Sequence, residues 1–207
     1  MPRVATHRCR SVLAALLVLV GTAAAAASQD LDVVNAVVID GTGATPRLGT
    51  TLRIRGGRIA AIDAGAPPST PAGVTRIDLA GRTVLPGLID AHAHIASPDA
   101  ARLALESGVT TARVLGDTFL QALGTRDLIR AGHVIGPELL VSSSIIRPRP
   151  GVAFYQAYPE FGRFVSVDLR GPETIASVVK AQIARGVDVI KVGASERAGL
   201  AATWRPA

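Results

Sequence analysis

Residues 88–95 read LIDAHAHI and hold two of the chain's four histidines, His92 and His94, one residue apart among small and aliphatic neighbours. On a β-strand, residues two apart share a face and lie about 6–7 Å apart along it, so two imidazoles there could converge on one metal ion. That register puts Leu88, Asp90, His92 and His94 on one side. Ile89, Ala91, Ala93 and Ile95 fall on the other, which suits packing under helices. A bare H-x-H, taken by itself, reads first as two hydrogen-bonded core histidines, since imidazole is often partly buried. His133, in the turn AGHVIGPE, reads as a solvated loop residue.

Lysine usage singles out another position. Of 22 lysines and arginines, only Lys180 and Lys191 are lysine. Lys180 falls in a helical pattern and reads as a solvated charge. Lys191 is flanked by Ile190 and Val192 in VDVIKV, where an unpaired ammonium would be costly to bury. One reading has its amine snorkelling from an exposed strand end. The other has the amine neutralised and modified into an anionic oxygen ligand, chemistry that a lowered lysine pKa in a closed site permits.

The elements that must position these residues are legible as two textures. From Asp30 to about Gly81 the chain reads as short strands with tight turns: LDVVNAVVID and TLRIRGGRIAAID are rich in Val and Ile, and Gly56-Gly57 is a two-residue hairpin signal. APPSTPAG is a loop, and VTRIDLAGRTVLPG supplies two more short strands around Ala80-Gly81. After Pro86, strand and helix alternate. GLIDAHAHI, TTARVLGD, ELLVSSSII and VDVIKVGA are strands, separated by the helices DAARLALESG, FLQALGTRDLIRAG and ETIASVVKAQIARG. Successive β/α steps imply a parallel sheet with helices outside it. Four strands and three helices make either an open sheet or about half of a (β/α)8 barrel, a fold of about 250 residues. The H-x-H then ends the first parallel strand and Lys191 ends the fourth, at the face where such barrels carry their chemistry.

The first 27 residues read as a secretory signal peptide. MPRVATHRCR is basic, SVLAALLVLVGTAAAAA is almost wholly apolar, and Ala25 and Ala27 are spaced as an A-x-A cleavage signal before Ser28. The apolar run is short of the ~20 residues of a spanning helix, which argues against a stable anchor. The formal net charge of +6 falls to +3 once Arg3, Arg8 and Arg10 leave, since that segment holds no acid. A nucleic-acid partner thereby loses its main support. His7 and the single cysteine, Cys9, leave too, so no disulfide is expected. The expected location is periplasmic or secreted.

The stretches VVNAVVIDGTG, RIRGGRIAAID, IDLAGRTVLPGLIDAHAHI, ESGVTTAR and GVDVIKV follow in order, from Leu31 to Val192, and together resemble the metal-dependent amidohydrolase superfamily. Its imidazolonepropionase-like and Xaa-Pro dipeptidase-like branch is the nearest in flavour. The resemblance implies an α/β fold, the N-terminal half of a (β/α)8 TIM barrel (85–207) preceded by a small β-sandwich-like domain (28–84). It implies one or two divalent ions, zinc foremost, with His92, His94 and a CO2-derived carboxylate on Lys191 as metal ligands. Asp90 would be a partner fixing an imidazole tautomer, or else a structural carboxylate low in the barrel. The family's strand-5 and strand-6 histidines and its general acid–base aspartate on strand 8 have no counterpart in VGASERAGLAATWRPA.

The expected function is therefore hydrolysis of amide C–N bonds in a peptide-like or cyclic amide small molecule, by an enzyme of which this chain is a C-terminally truncated part with little activity alone. An oligomer is possible in the full-length form. The alternative is a non-catalytic product, at most a weak metal-binding or association module. Arg113 and Asp117 read as an internal ion pair. The segment RPRPGVAFYQAYPEFGRF, with both tyrosines and three of four phenylalanines, reads either as pocket lining or as packing. Export from a Gram-negative host, followed by intact-mass measurement, is expected to give a chain beginning at Ser28; retention of residues 1–27 would contradict the signal reading.

Overall fold

The computed structural model describes residues 29–67, 69–117 and 120–193; the signal segment and the residues after Gly193 lie outside them. The chain divides into two compact units, between Leu85 and Pro86. Among the described residues no helix is long and apolar enough to cross a membrane.

The first unit is a five-stranded sheet built around β1 (Leu31–Val38). Alternate residues of β1 are buried, among them Val34, Ala36 and Val38, as one face of a strand requires. Antiparallel to it runs β2 (Arg47–Arg55), which continues into β3 (Arg58–Ala64) through Gly56 and Gly57. Both glycines have positive φ, 55° and 74°, as the expected two-residue turn demands. The strands β4 (Thr75–Asp78) and β5 (Thr83–Val84) both pair parallel with β1, one after the other along the same edge. Leu79 and Gly81 donate to the carbonyls of Val34 and Asn35, so the turn around Ala80 bulges outward without reversing the chain.

The second unit is a parallel sheet in the order β6 (Leu88–Ala93), β7 (Val109–Val114), β8 (Glu138–Val141). The intervening helices are α1 (Pro98–Glu106) and α2 (Gln121–Arg130). Ser97 caps α1, its hydroxyl accepting the Ala100 N–H at 3.2 Å, and Pro98 opens the first turn with its φ already set. Ile95, Ala101, Ala112, Val114, Leu123, Leu139 and Val141 form the core between sheet and helices. Each of the larger aliphatic side chains there contributes about 1.5–3 kcal/mol by leaving water. Gly87 enters β6 against Thr110, whose Oγ1 would lie 2.1 Å from any added Cβ.

The aromatic segment both packs its rings and, at Gly151, Ala153 and Phe154, lines a cleft. The short helix α3 (Val152–Ala157) and the 3-10 turn Pro159–Phe164 bury Phe154, Tyr158 and Phe161 against α4 (Pro172–Ala184). The Phe154 and Tyr158 rings stack at 5.1 Å, and the Tyr158 hydroxyl bonds to Ser143 Oγ. Burial pushes the Tyr158 phenol up from its ordinary value.

Among the described residues the expected fourth strand forms one parallel bridge, Ile146 with Val192. Main-chain bonds join the two segments at both ends, Asp188 N–H to Val141 O at 2.8 Å and Ile146 N–H to Lys191 O at 2.8 Å, and between them the ladder is interrupted at Ser142–Ser144, where Ser144 O accepts the Gln182 amide at 2.8 Å. The Asp188 side chain adds a further tie. Its Oδ2 accepts both the Val141 N–H, at 2.9 Å, and Arg126 Nη1, at 2.7 Å, and Arg126 is 7% exposed. Burial alone would raise the Asp188 carboxyl, but the Val141 N–H and the Arg126 guanidinium more than offset it and hold it below 3.8. A carboxylate with a depressed folded-state pKa stabilises fully above its unfolded value and loses that contribution as pH falls through the folded one. Asp188→Asn is expected to cost about 2–4 kcal/mol in urea unfolding at pH 7, with the deficit shrinking as the pH is taken below 3.8. Equal stability of variant and parent at pH 7 would contradict this anchoring role.

Candidate metal centre

The β6–β7 ladder is irregular at the point where chemistry is expected. Asp90 pairs with Ala112 and the next pair is Ala93 with Val114, so three steps on β6 meet two on β7. An extra residue of this kind breaks the ladder, bends the strand and re-aims its side chains. Two side chains take up main-chain groups at the break. Asp90 Oδ1 accepts the His92 N–H at 2.9 Å, and Arg113 Nε–H donates to Ala91 O at 2.8 Å. Immediately beyond, Ala93 packs against the core and Ile95 is buried within it. His94, one residue past the end of β6, is therefore held between two core-facing neighbours.

Both imidazoles emerge into solvent, with ring centroids 5.5 Å apart and ring planes inclined by 51°. With Zn–N at about 2.0–2.1 Å and about 1.1 Å more from nitrogen to ring centre, two imidazoles on one tetrahedral ion have centroids about 5 Å apart. The observed separation is close to that, so the spacing of the two rings is compatible with a shared divalent ion. Among the described residues no group of three or more His, Cys, Asp and Glu comes together.

The other expected site residues are placed as follows. Asp90 is exposed and its carboxylate engages the main chain of His92; the hydrogen bond is to the peptide, not to a ring nitrogen. Lys191 is half-buried; its carbonyl accepts the Ile146 N–H at 2.8 Å, beside the single bridge at Val192. It thus lies at the same end of the sheet as the histidines, on the far side of β7 and β8. His133 is exposed in the turn between α2 and β8.

Arg113 gives its Nε–H to Ala91 O, and Asp117 Oδ2 accepts the Ala122 N–H. Ile89, expected to pack under a helix, is 74% exposed, and α1 packs against β7. The residues missed in the sequence are Arg113, as the partner of Ala91, and the Arg126–Asp188 pair behind Lys191. The one signal for the latter was a carboxylate inside the apolar run VDVI.

No protein-family model matches the chain. It is 46% identical over 66 residues to adenine deaminase 2 of Bradyrhizobium sp. (strain ORS 278), covering 29% of this chain and 11% of the deaminase. Among solved structures it resembles a protein named as a prolidase from Bifidobacterium longum, with a TM-score of 0.66 and 29% identity over 82% of this chain and 42% of that one. It also resembles a Xaa-Pro dipeptidase with methionine bound in the active site, at a TM-score of 0.66 and 25% identity over 80% of this chain and 47% of that one. The chain spans less than half the length of these solved relatives.

Outer partners that orient metal ligands typically change metal affinity 10–100-fold when removed. Arg113→Gln is expected to weaken zinc binding about tenfold or more, measured by competition with a chromogenic chelator, while Arg102→Gln, a surface control on α1 paired with Glu106, leaves it unchanged. Equal affinity in the two variants would show that the Ala91 contact does not position the histidines. The paired imidazoles at the end of the first parallel strand, the ordered sequence landmarks around them and the likeness to these proteins agree: the chain resembles the metal-dependent amidohydrolases.

Proposed function

We propose that the protein to which these residues belong is a metal-dependent hydrolase of amide C–N bonds, acting on a peptide-like or cyclic amide substrate. The observation that carries this reading is the exposed His92 and His94 pair, rings 5.5 Å apart at the carboxyl end of β6. The names of the similar structures, prolidase and Xaa-Pro dipeptidase, support the choice of bond.

The proposal includes the finer architecture: the parallel sheet and the segment reaching Lys191 as the first four β/α units of a (β/α)8 barrel, and the five-stranded sheet as the N-terminal part of a β-sandwich. Lys191 gives this a physical basis. Three strand positions across a flat sheet are roughly 14 Å at about 4.8 Å each, too far to share an ion with the histidines. Closure into a barrel turns alternate side chains inward toward a common axis. The metal reading and the barrel reading therefore stand together.

In this reading His92, His94 and a carboxylated Lys191 hold one or two divalent ions, zinc foremost. Such an ion, when bound, lowers the pKa of water and polarises the scissile carbonyl. The chain's own residues supply preorganisation. Asp90 and Arg113 hold the main chain on either side of the bulge, Ile95 anchors the residue after His94, and Asp188 fixes the segment that ends in Lys191. A carbamate on Lys191 replaces an ammonium, which would repel a cation, with an anionic oxygen donor. Export to the periplasm or medium is also part of the proposal, supported by the composition of residues 1–27.

A second reading, a non-catalytic association module, is favoured by one observation: Leu88 and Ile89 on β6 are 51% and 74% exposed. One experiment separates the two. The chain is purified with zinc and bicarbonate, its metal content is measured, and hydrolysis of Xaa-Pro dipeptides and lactams is followed. Bound zinc that is lost in His92→Ala, with any turnover lost alongside it, is the expected result. Zinc content and turnover unchanged in His92→Ala would contradict the hydrolase reading.

A further inference from the structure

A cleft of about 200 Å³ opens beside β8, lined by Gly116, Ser144, Ile145, Arg147, Ala153 and Phe154 among others. Gly116 follows β7, and Ser144, Ile145 and Arg147 follow β8. Because β6, β7 and β8 are parallel, the cleft and the His92–His94 pair share the carboxyl end of one sheet. Ligands of α/β sheets bind at that end. The volume is below the roughly 300–1,000 Å³ of a whole small-molecule site, which suits one substituent of a larger substrate.

Its chemistry is specific. Ile145, Ala153 and Phe154 make the walls apolar, and two polar side chains interrupt them. Ser144 is 7% exposed, and its hydroxyl donates one long hydrogen bond, to Asp117 O at 3.5 Å, leaving its lone pairs as acceptors. Arg147 is the other. The neighbouring arginines have partners: Arg149 and Arg170 both pair with Asp168, Arg185 pairs with Glu160, and Arg163 lies over the Phe164 ring at 4.8 Å. The two acids of residues 147–170 are thereby engaged; together the arginines hold Asp168 well below the usual carboxylate range, and Arg185 lowers Glu160. Among the described residues Arg147 has neither an acid nor a ring as partner. An unpaired guanidinium at an apolar cleft is matched by a planar anion that its donor fork can bind.

We propose that Arg147, beside Ser144, forms a subsite for a carboxylate of the substrate, with the small apolar group beside that carboxylate seated against Ile145, Ala153 and Phe154. Arg147 is then a specificity-determining residue that selects acids over their neutral esters. The inference rests on the hydrolase reading for its place in a reaction. Its test uses metal-free protein, so that the two can fail separately.

The full chain, in EDTA, is titrated with N-acetyl-L-alanine and with its methyl ester while backbone amide resonances are followed. The acid is expected to shift Gly116, Ser144 and Gly151 and to bind at least about tenfold more tightly than the ester, as a charge-assisted hydrogen bond implies. Arg147→Gln should bring the acid-to-ester ratio near one with an unchanged melting temperature, since the residue is exposed. Ala153→Leu, which fills the cleft, should weaken both ligands. His92→Ala should leave the ratio as it was, whatever it does to zinc. Equal binding of acid and ester by the parent, a preference that survives Arg147→Gln, or acid binding indifferent to Ala153→Leu would each overturn the proposal.

Discussion

The candidate centre depends on one irregularity, the extra residue of β6 between Asp90 and Ala93. A regular ladder there would commit the main chain around His92 to β7 and leave its direction to the pleat alone. The break frees a peptide N–H and a carbonyl, and charged side chains claim both: Asp90 from its own strand and Arg113 from the next. Function and fold thus meet in two hydrogen bonds. The imidazoles can stand in solvent only because Ile95, directly after them, is sunk in the core and fixes where the chain goes next.

The opposite side of the sheet relies on a different device. There the ladder to the chain leading to Lys191 is interrupted at Ser142–Ser144, with main-chain bonds, among the described residues, only at Val141 and Ile146. A partly buried charge pair reinforces it, Asp188 joining the main chain of Val141 to Arg126 of α2. Such pairs add less stability than their contacts suggest, because desolvation offsets much of the attraction. What they add is a defined position, since a carboxylate with two fixed donors has one good place to sit. For a segment that delivers a candidate ligand, position is the useful property.

Much of this was legible in the chain. The change at Pro86 from short strands to β/α alternation shows because apolar periodicity switches from two to nearly four residues. Gly56-Gly57 announces its turn because two successive positive φ values suit little else. His92 and His94 were legible as a pair because strand spacing alone brings them together. Other features depend on contacts between residues distant in sequence. Asp90 serving a peptide, Arg113 reaching 22 residues back to Ala91, and Arg126 reaching 62 residues on to Asp188 leave no periodic trace. The interrupted fourth ladder is of the same kind: VDVIKVGA has strand composition, but among the described residues it pairs with the end of β8 and the chain after it only at Val141 and Ile146. Gly87 carries a similar hidden constraint, the Thr110 side chain that occupies the place of its absent Cβ.

The central claim is that His92 and His94 act together on one ion, and the imidazole nitrogens report this directly. In a zinc titration of the histidine-labelled chain followed by nitrogen NMR, His92 and His94 are predicted to shift together and saturate at one shared ion, while the exposed turn residue His133 stays at its free position. Shifts in only one of the pair, or in His133 to the same extent, would contradict it.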